Sequence, residues 1–150
     1  MITIENVTKR YDNTTVVHEL NLQIHAGEIV GIIGHNGAGK STTMKMIAGL
    51  IEPTEGIVRV MGEDIQKGSA KIKQKIGYLP EESPLYEAMT AQQYLLFFSE
   101  LYQMPRQKAL TRIDALLNSL DLHETKKLTG EFSKGMKRKT AIARALLHDP

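Results

Sequence analysis

The chain lacks cysteine altogether. That excludes disulfides and cysteine-rich metal sites and leaves the cellular compartment open. It also lacks a charge excess: 19 Lys and Arg against 17 Asp and Glu leave a net charge of +2, so no general electrostatic case for nucleic acid arises. No apolar run is long enough to span a bilayer. The start, Met1-Ile2-Thr3-Ile4-Glu5, has neither a basic region nor a signal-like apolar segment. No internal repeat or low-complexity linker is visible. What remains is 150 residues with 41% hydrophobic and 24% charged side chains, the balance of one ordinary soluble domain with a sizeable core. A cytoplasmic location is the expectation, with membrane association coming only through a partner.

The strongest positive signal is Gly34-His35-Asn36-Gly37-Ala38-Gly39-Lys40-Ser41-Thr42, which fits G-x-x-x-x-G-K-[ST], the phosphate-binding P-loop. The apolar run Ile29-Val30-Gly31-Ile32-Ile33 ahead of it reads as a buried strand, and Met44, Ile47 and Ala48 follow at helical spacing. Glycines let the backbone curl so that successive N–H groups point at a phosphate. The helix that starts there adds the positive end of its dipole. Lys40 would place a point charge near the outer phosphates and Ser41 would ligate Mg²⁺. The bland alternative, a flexible turn that happens to match, is disfavoured by the strand–loop–helix context.

Around this motif, Ile2, Ile4 and Val7, then Val16, Val17, Leu20, Leu22 and Ile24, mark short antiparallel strands, punctuated by Asp12-Asn13 and Ala26-Gly27. Gly56–Val60 reads as another strand, Lys67–Gln74 as a short helix, and Ile76-Gly77-Tyr78-Leu79-Pro80 as a second strand of the core. From Thr90 the period becomes helical. Thr90 and Gln93 form a capping box. Tyr94, Phe98, Leu101 and Tyr102 share a face, and Met104-Pro105 breaks the helix. Ala109, Ile113, Leu116, Leu117 and Leu120 then build a second amphipathic helix, and a last one begins near Ser133. Asp121–Gly130 reads as a polar connection, and Lys137-Arg138-Lys139 as a solvated helix face rather than a nucleic-acid patch.

Taken in order, GHNGAGKST, IGYLPE, and FSKGM followed by IARALLHDP resemble the nucleotide-binding domain of ATP-binding cassette (ABC) transporters, over essentially Ile2 to Pro150. The wording IGYLPEESPLYEAMT looks most like the ATPase subunits of ABC-2-type exporters. The resemblance implies an α/β P-loop NTPase fold with an antiparallel β subdomain and an inserted α-helical subdomain. Residues 1–84 would form the core and 85–147 the helical subdomain, with the C-terminal part of the core missing. It implies ATP and Mg²⁺ as ligands, a membrane-spanning permease as partner, and a homodimer or heterodimer of nucleotide-binding domains. Tyr11 falls where the family's adenine-stacking aromatic lies; read by itself, it is a surface residue closing a hairpin. Ser133, Lys134, Gly135 and Met136 fall on the signature loop, which meets ATP held by the partner's P-loop; read by itself, Ser133 is a helix cap. Leu85, Tyr86 and Met89 are candidates either for the permease contact or for packing inside the helical subdomain.

Departures from the family pattern set further expectations. Glu81, with Glu82 beside it, replaces a Mg²⁺-ligating glutamine; a carboxylate is also a hard donor for Mg²⁺. Lys134 and Met136 replace the signature's first glycine and its glutamine. The chain ends at Pro150 before the family's apolar strand ending in Asp-Glu, so the water-polarising Glu is not in this sequence. None of His18, His25, His35, His123 and His148 has the context of the family's switch histidine. The expectation is a chain that keeps a phosphate cradle, binds nucleotide weakly and hydrolyses it poorly. Two other classes compete: an ABC ATPase acting on ribosomes or nucleic acid, and a P-loop kinase. The first usually carries coiled-coil insertions, cysteines or a second cassette; the second leaves the Ser133 loop unexplained.

Overall fold

A computed structural model describes residues 1–67, 70–122 and 126–150. His123 lies outside the described residues. The chain forms two compact units, Met1–Ile76 and Gly77–Pro150.

The first unit is built on a four-stranded antiparallel sheet ordered β2-β1-β3-β4, with β1 Ile2–Tyr11, β2 Thr14–Ile24, β3 Glu55–Val60 and β4 Glu63–Asp64. Asp12-Asn13 close the β1–β2 hairpin, so that Tyr11 pairs with Thr14. Ile4 faces Leu22 on one side and Val58 on the other. The register slips between Ile4 and Val7. Asn6 takes positive φ there, and its N–H and the Asn21 side-chain amide bind across the irregularity; Glu19 takes positive φ at the next slip, between Val7 and Lys9. Helix α1, Lys40–Ile47, buries Thr43, Met46 and Ile47. Met46 and Ile47 join Ile4, Val7, Val17, Val58, Val60, Ile65 and Ile72 in the core. Helix α2 covers only Ala70–Lys73, shorter than the expected Lys67–Gln74, of which residues 68–69 lie outside the described set.

Two expected strands do not form. Neither Ile29–Ile33 nor Ile76–Pro80 is hydrogen-bonded into a sheet among the described residues. Ile29 and Ile33 are 101% and 97% exposed, where a buried strand was expected. An apolar run supplies the side chains for a core strand, but only a neighbouring ladder supplies partners for its N–H and C=O groups.

The second unit is helical: α3 Ala91–Leu101, α4 Arg106–Ser119 and α5 Lys134–Leu146, with a 3₁₀ turn at Thr129–Glu131. The Thr90–Gln93 capping box is complete on both sides. Pro105 sits at the N-terminal boundary of α4, after the break. Tyr94, Leu95, Ile113, Leu116, Leu117, Phe132 and Leu147 form the core. Leu101, at the last position of α3, is 62% exposed.

Candidate functional site

The P-loop lies in the first unit, where a short turn leads into it. The Glu28 carboxylate accepts the His25 N–H at 2.7 Å and lies 3.2 Å from His25 Nδ1. The first of these contacts, with the His25 ring adding to it, holds the Glu28 carboxyl below its ordinary pKa. After Ile33 the loop curls through Gly37 and Gly39, both at positive φ. Gly39 is the residue before α1, at φ 80° and ψ 5°, and it supplies no side-chain cap. A Cβ there would sit 2.4 Å from the Val16 carbonyl oxygen and 2.9 Å from Val17 Cγ2, so only glycine lets the loop press on β2.

An α-helix leaves its first N–H groups without intrahelical acceptors. In α1 these belong to Lys40, Ser41 and Thr42, and the first bond back to the cap runs from the Thr43 N–H to the Gly39 carbonyl at 2.8 Å. Lys40 is folded over the loop, with Nζ donating to the Gly34 and His35 carbonyls at 2.7 Å each. The His35 ring nitrogen Nδ1 donates to the Asn36 carbonyl at 2.8 Å. Ala38 donates to His35 at 3.2 Å, which closes the turn. His35, Asn36, Gly37, Ala38 and Ser41 are exposed, while Thr42 is half-buried. Uncapped donors, a positive helix end and a lysine are what a chain of phosphates requires. The residues present therefore fit a nucleotide tail.

Behind the loop lies a cavity of about 340 Å³, lined mostly by apolar side chains that include Val16, Val17, Leu22, Ile32 and Ile33. His18, Ala38, Lys40 and Thr43 also line it. Tyr11, at the end of β1, is half-exposed, and Lys9 Nζ stands 4.9 Å from its ring centroid while donating to the Glu52 carbonyl at 2.8 Å.

The signature-like residues lie in the second unit. Ser133 caps α5, its hydroxyl accepting the Met136 N–H at 3.2 Å. Lys134 and Gly135 are exposed, and Met136 packs against the helical core. Glu81 is exposed and shares the lining of an 820 Å³ cavity with Glu82, Ser83, Phe132, Lys134 and Arg138. Ser41 and Glu81, the two expected metal ligands, thus belong to different units. Among the described residues no cluster of three or more His, Asp or Glu could hold a metal.

Arg138 was missed in the sequence, where it reads as part of a solvated charge run. Its Nη1 donates to the Pro80 carbonyl at 2.7 Å and the Glu81 carbonyl at 3.1 Å, which fixes the Glu81 loop to α5. Lys137 Nζ binds Glu87 Oε1 at 3.0 Å in the same way. The only signal available was position: residues 137 and 138 lie one turn after the Ser133 cap. Of the candidate partner contacts, Leu85 is buried and Met89 packs on the helical core, while Tyr86 is half-exposed against Phe97 and Phe98.

The fold and the loop define the class as a P-loop NTPase domain. Within that class the chain belongs to the ABC transporter family, whose sequence model matches residues 17–150. It is 42% identical to the ABC transporter ATP-binding protein NatA of Bacillus subtilis, over 100% of this chain and 63% of that protein. It is 41% identical to the bacitracin transport ATP-binding protein BcrA of Bacillus licheniformis, over 100% of this chain and 48% of that one. It superposes with a TM-score of 0.87 on the ATP-binding cassette MJ0796, solved as a post-hydrolysis dimer bound to ADP and Pi; identity is 30%, over 100% of this chain and 71% of that one. The chain therefore spans about half to two thirds of the length of these two relatives. No helix among the described residues is long and apolar enough to cross a membrane.

Proposed function

We propose that this chain is the ATP-binding part of an ABC exporter subunit, in which nucleotide binding and hydrolysis drive a membrane permease. The observation that carries the reading is the uncapped start of α1 under Lys40, in a chain of the ABC transporter family. Residues 34–42 grip the phosphates, the Ser41 hydroxyl is offered to Mg²⁺, and Tyr11 stacks on adenine. Ser133, Lys134, Gly135 and Met136 meet the nucleotide of a second copy or a related domain, so residues 1–84 act as the core and 85–147 as the helical subdomain. The subunit works in the cytoplasm, at the inner face of the membrane through its permease, and the half-exposed Tyr86 is the apolar contact offered there. Export is supported by the relatives' names, which include transport of bacitracin and export of Nod factor.

The test is calorimetric titration of the folded chain with Mg·ATP, alongside Lys40→Ala. Saturable uptake is expected, weakened in the variant by about 30-fold or more, the effect of removing one partner of a charged pair. Unchanged affinity in Lys40→Ala would rule out the assigned pocket.

A further inference from the structure

The phosphate loop contains a bond prone to spontaneous chemistry. Asparagine is lost when its side-chain amide is attacked by the nitrogen of the following peptide, and glycine is the follower that obstructs attack least. Of the five asparagines, Asn36 alone precedes glycine; Asn6, Asn13, Asn21 and Asn118 precede Val7, Thr14, Leu22 and Ser119. Asn36 and Gly37 are exposed, and nothing lies within 4 Å of the place a Gly37 Cβ would take. Neither the Gly37 N–H nor the Asn36 side-chain amide is hydrogen-bonded among the described residues, so neither reacting group is held back.

His35 adds a feature that sequence alone does not show. Its Nδ1 is 2.8 Å from the Asn36 carbonyl oxygen, and since a carbonyl only accepts, the ring donates. That oxygen belongs to the peptide whose nitrogen is Gly37's. When this N–H loses its proton, negative charge collects on that oxygen, and the His35 donation stabilises it.

We propose that Asn36 is a deamidation site promoted by His35, and that its conversion disables the phosphate loop. Hydroxide takes the Gly37 N–H proton and becomes water. The nitrogen bonds to Asn36 Cγ, the Cγ–Nδ2 bond breaks, and ammonia leaves with a proton from water, which restores hydroxide. The cyclic imide then adds one water at either carbonyl, giving aspartate or isoaspartate. No electron is transferred. Either product puts a carboxylate beside donors meant for an anion, and isoaspartate also lengthens the main chain within the curl. The loss of binding rests on the nucleotide reading above; the chemical step does not.

The test incubates the intact chain from neutral to mildly alkaline pH, with peptide mass mapping and labelling by an isoaspartate methyltransferase. Conversion concentrated at Asn36 and quickening with pH is expected. His35→Ala slows it by about three- to tenfold, the worth of one hydrogen bond. Asn36→Gln, which needs a larger ring, shows no mass gain at that site. Mg·ATP slows conversion in the parent, and converted material loses affinity for Mg·ATP by about tenfold or more. Conversion no faster at Asn36 than at the other asparagines, or a rate unchanged in His35→Ala, overturns the proposal. Full affinity in converted material overturns its consequence. Fresh chain that takes up no Mg·ATP would refute the nucleotide reading instead and leave the mass result standing.

Discussion

Gly39 and Gly135 both stand at helix starts, for opposite reasons. Gly39 is required from within: its positive φ and its approach to the Val16 carbonyl exclude a side chain. Gly135 is not. Its φ is not positive, and a Cβ there would meet only Ser133 Oγ, at an ordinary 3.8 Å. Glycine in a helix costs up to about 1 kcal/mol relative to alanine, so the chain tolerates a loss with no internal return. An external ligand pressing on α5 would explain it. Gly135→Ala is therefore expected to raise stability by up to about 1 kcal/mol in thermal melts. The same variant should weaken Mg·ATP-driven dimerisation, followed by light scattering; a stability gain with undiminished dimerisation would remove Gly135 from the proposed contact. The P-loop residues were legible in sequence because their spacing is their chemistry. The inward turn of Lys40 onto two carbonyls was not, since it depends on where the curl places them.

Helix α3 was the most legible element. Thr90 and Gln93 satisfy each other's backbone donors over a single turn, and Pro105 ends the segment for local steric reasons. Tyr94 on this helix carries a tertiary contact that no local pattern encodes: its hydroxyl accepts from Arg144 Nη1 of α5 at 2.9 Å. Burial pushes the Tyr94 hydroxyl above its usual pKa, and the Arg144 charge pulls it only partly back. The folded state thus holds the phenolic proton more tightly than the unfolded chain. The stability it contributes is complete below the unfolded pKa of about 10 and is lost as pH rises through the folded value. Urea midpoints measured upward from neutral pH should fall past about pH 10, and less steeply in Tyr94→Phe. At neutral pH that variant should cost about 0.5–1.5 kcal/mol for the lost hydrogen bond. Helix α5 shows the converse. Its basic run reads as solvated, yet Lys137 and Arg138 tie down the Glu87 and Glu81 segments, partners 50 and 57 positions away.

At the scale of the molecule, each unit closes its own core, and Ile29–Ile33 of the first unit joins neither core. Ile29, Val30 and Ile33 are exposed on a segment with no sheet partner among the described residues. Contiguous apolar surface of this kind binds dyes and other chains. The double variant Ile29→Ser, Ile33→Ser should lower dye fluorescence and concentration-dependent association without a large change in melting temperature. If both readouts match the parent, the segment is covered in solution.

The family, the P-loop, the antiparallel hairpin and the caps and breaks of the helices were all readable from residue spacing, because each rests on short runs of neighbouring residues. Which apolar runs became strands was settled by folding in three dimensions, since a ladder needs a second strand that no run specifies for itself. Folding also decided that Arg138 grips the Glu81 loop and that His35 leans on the Asn36 peptide. These contacts depend on directions in space, and one-dimensional spacing does not carry direction.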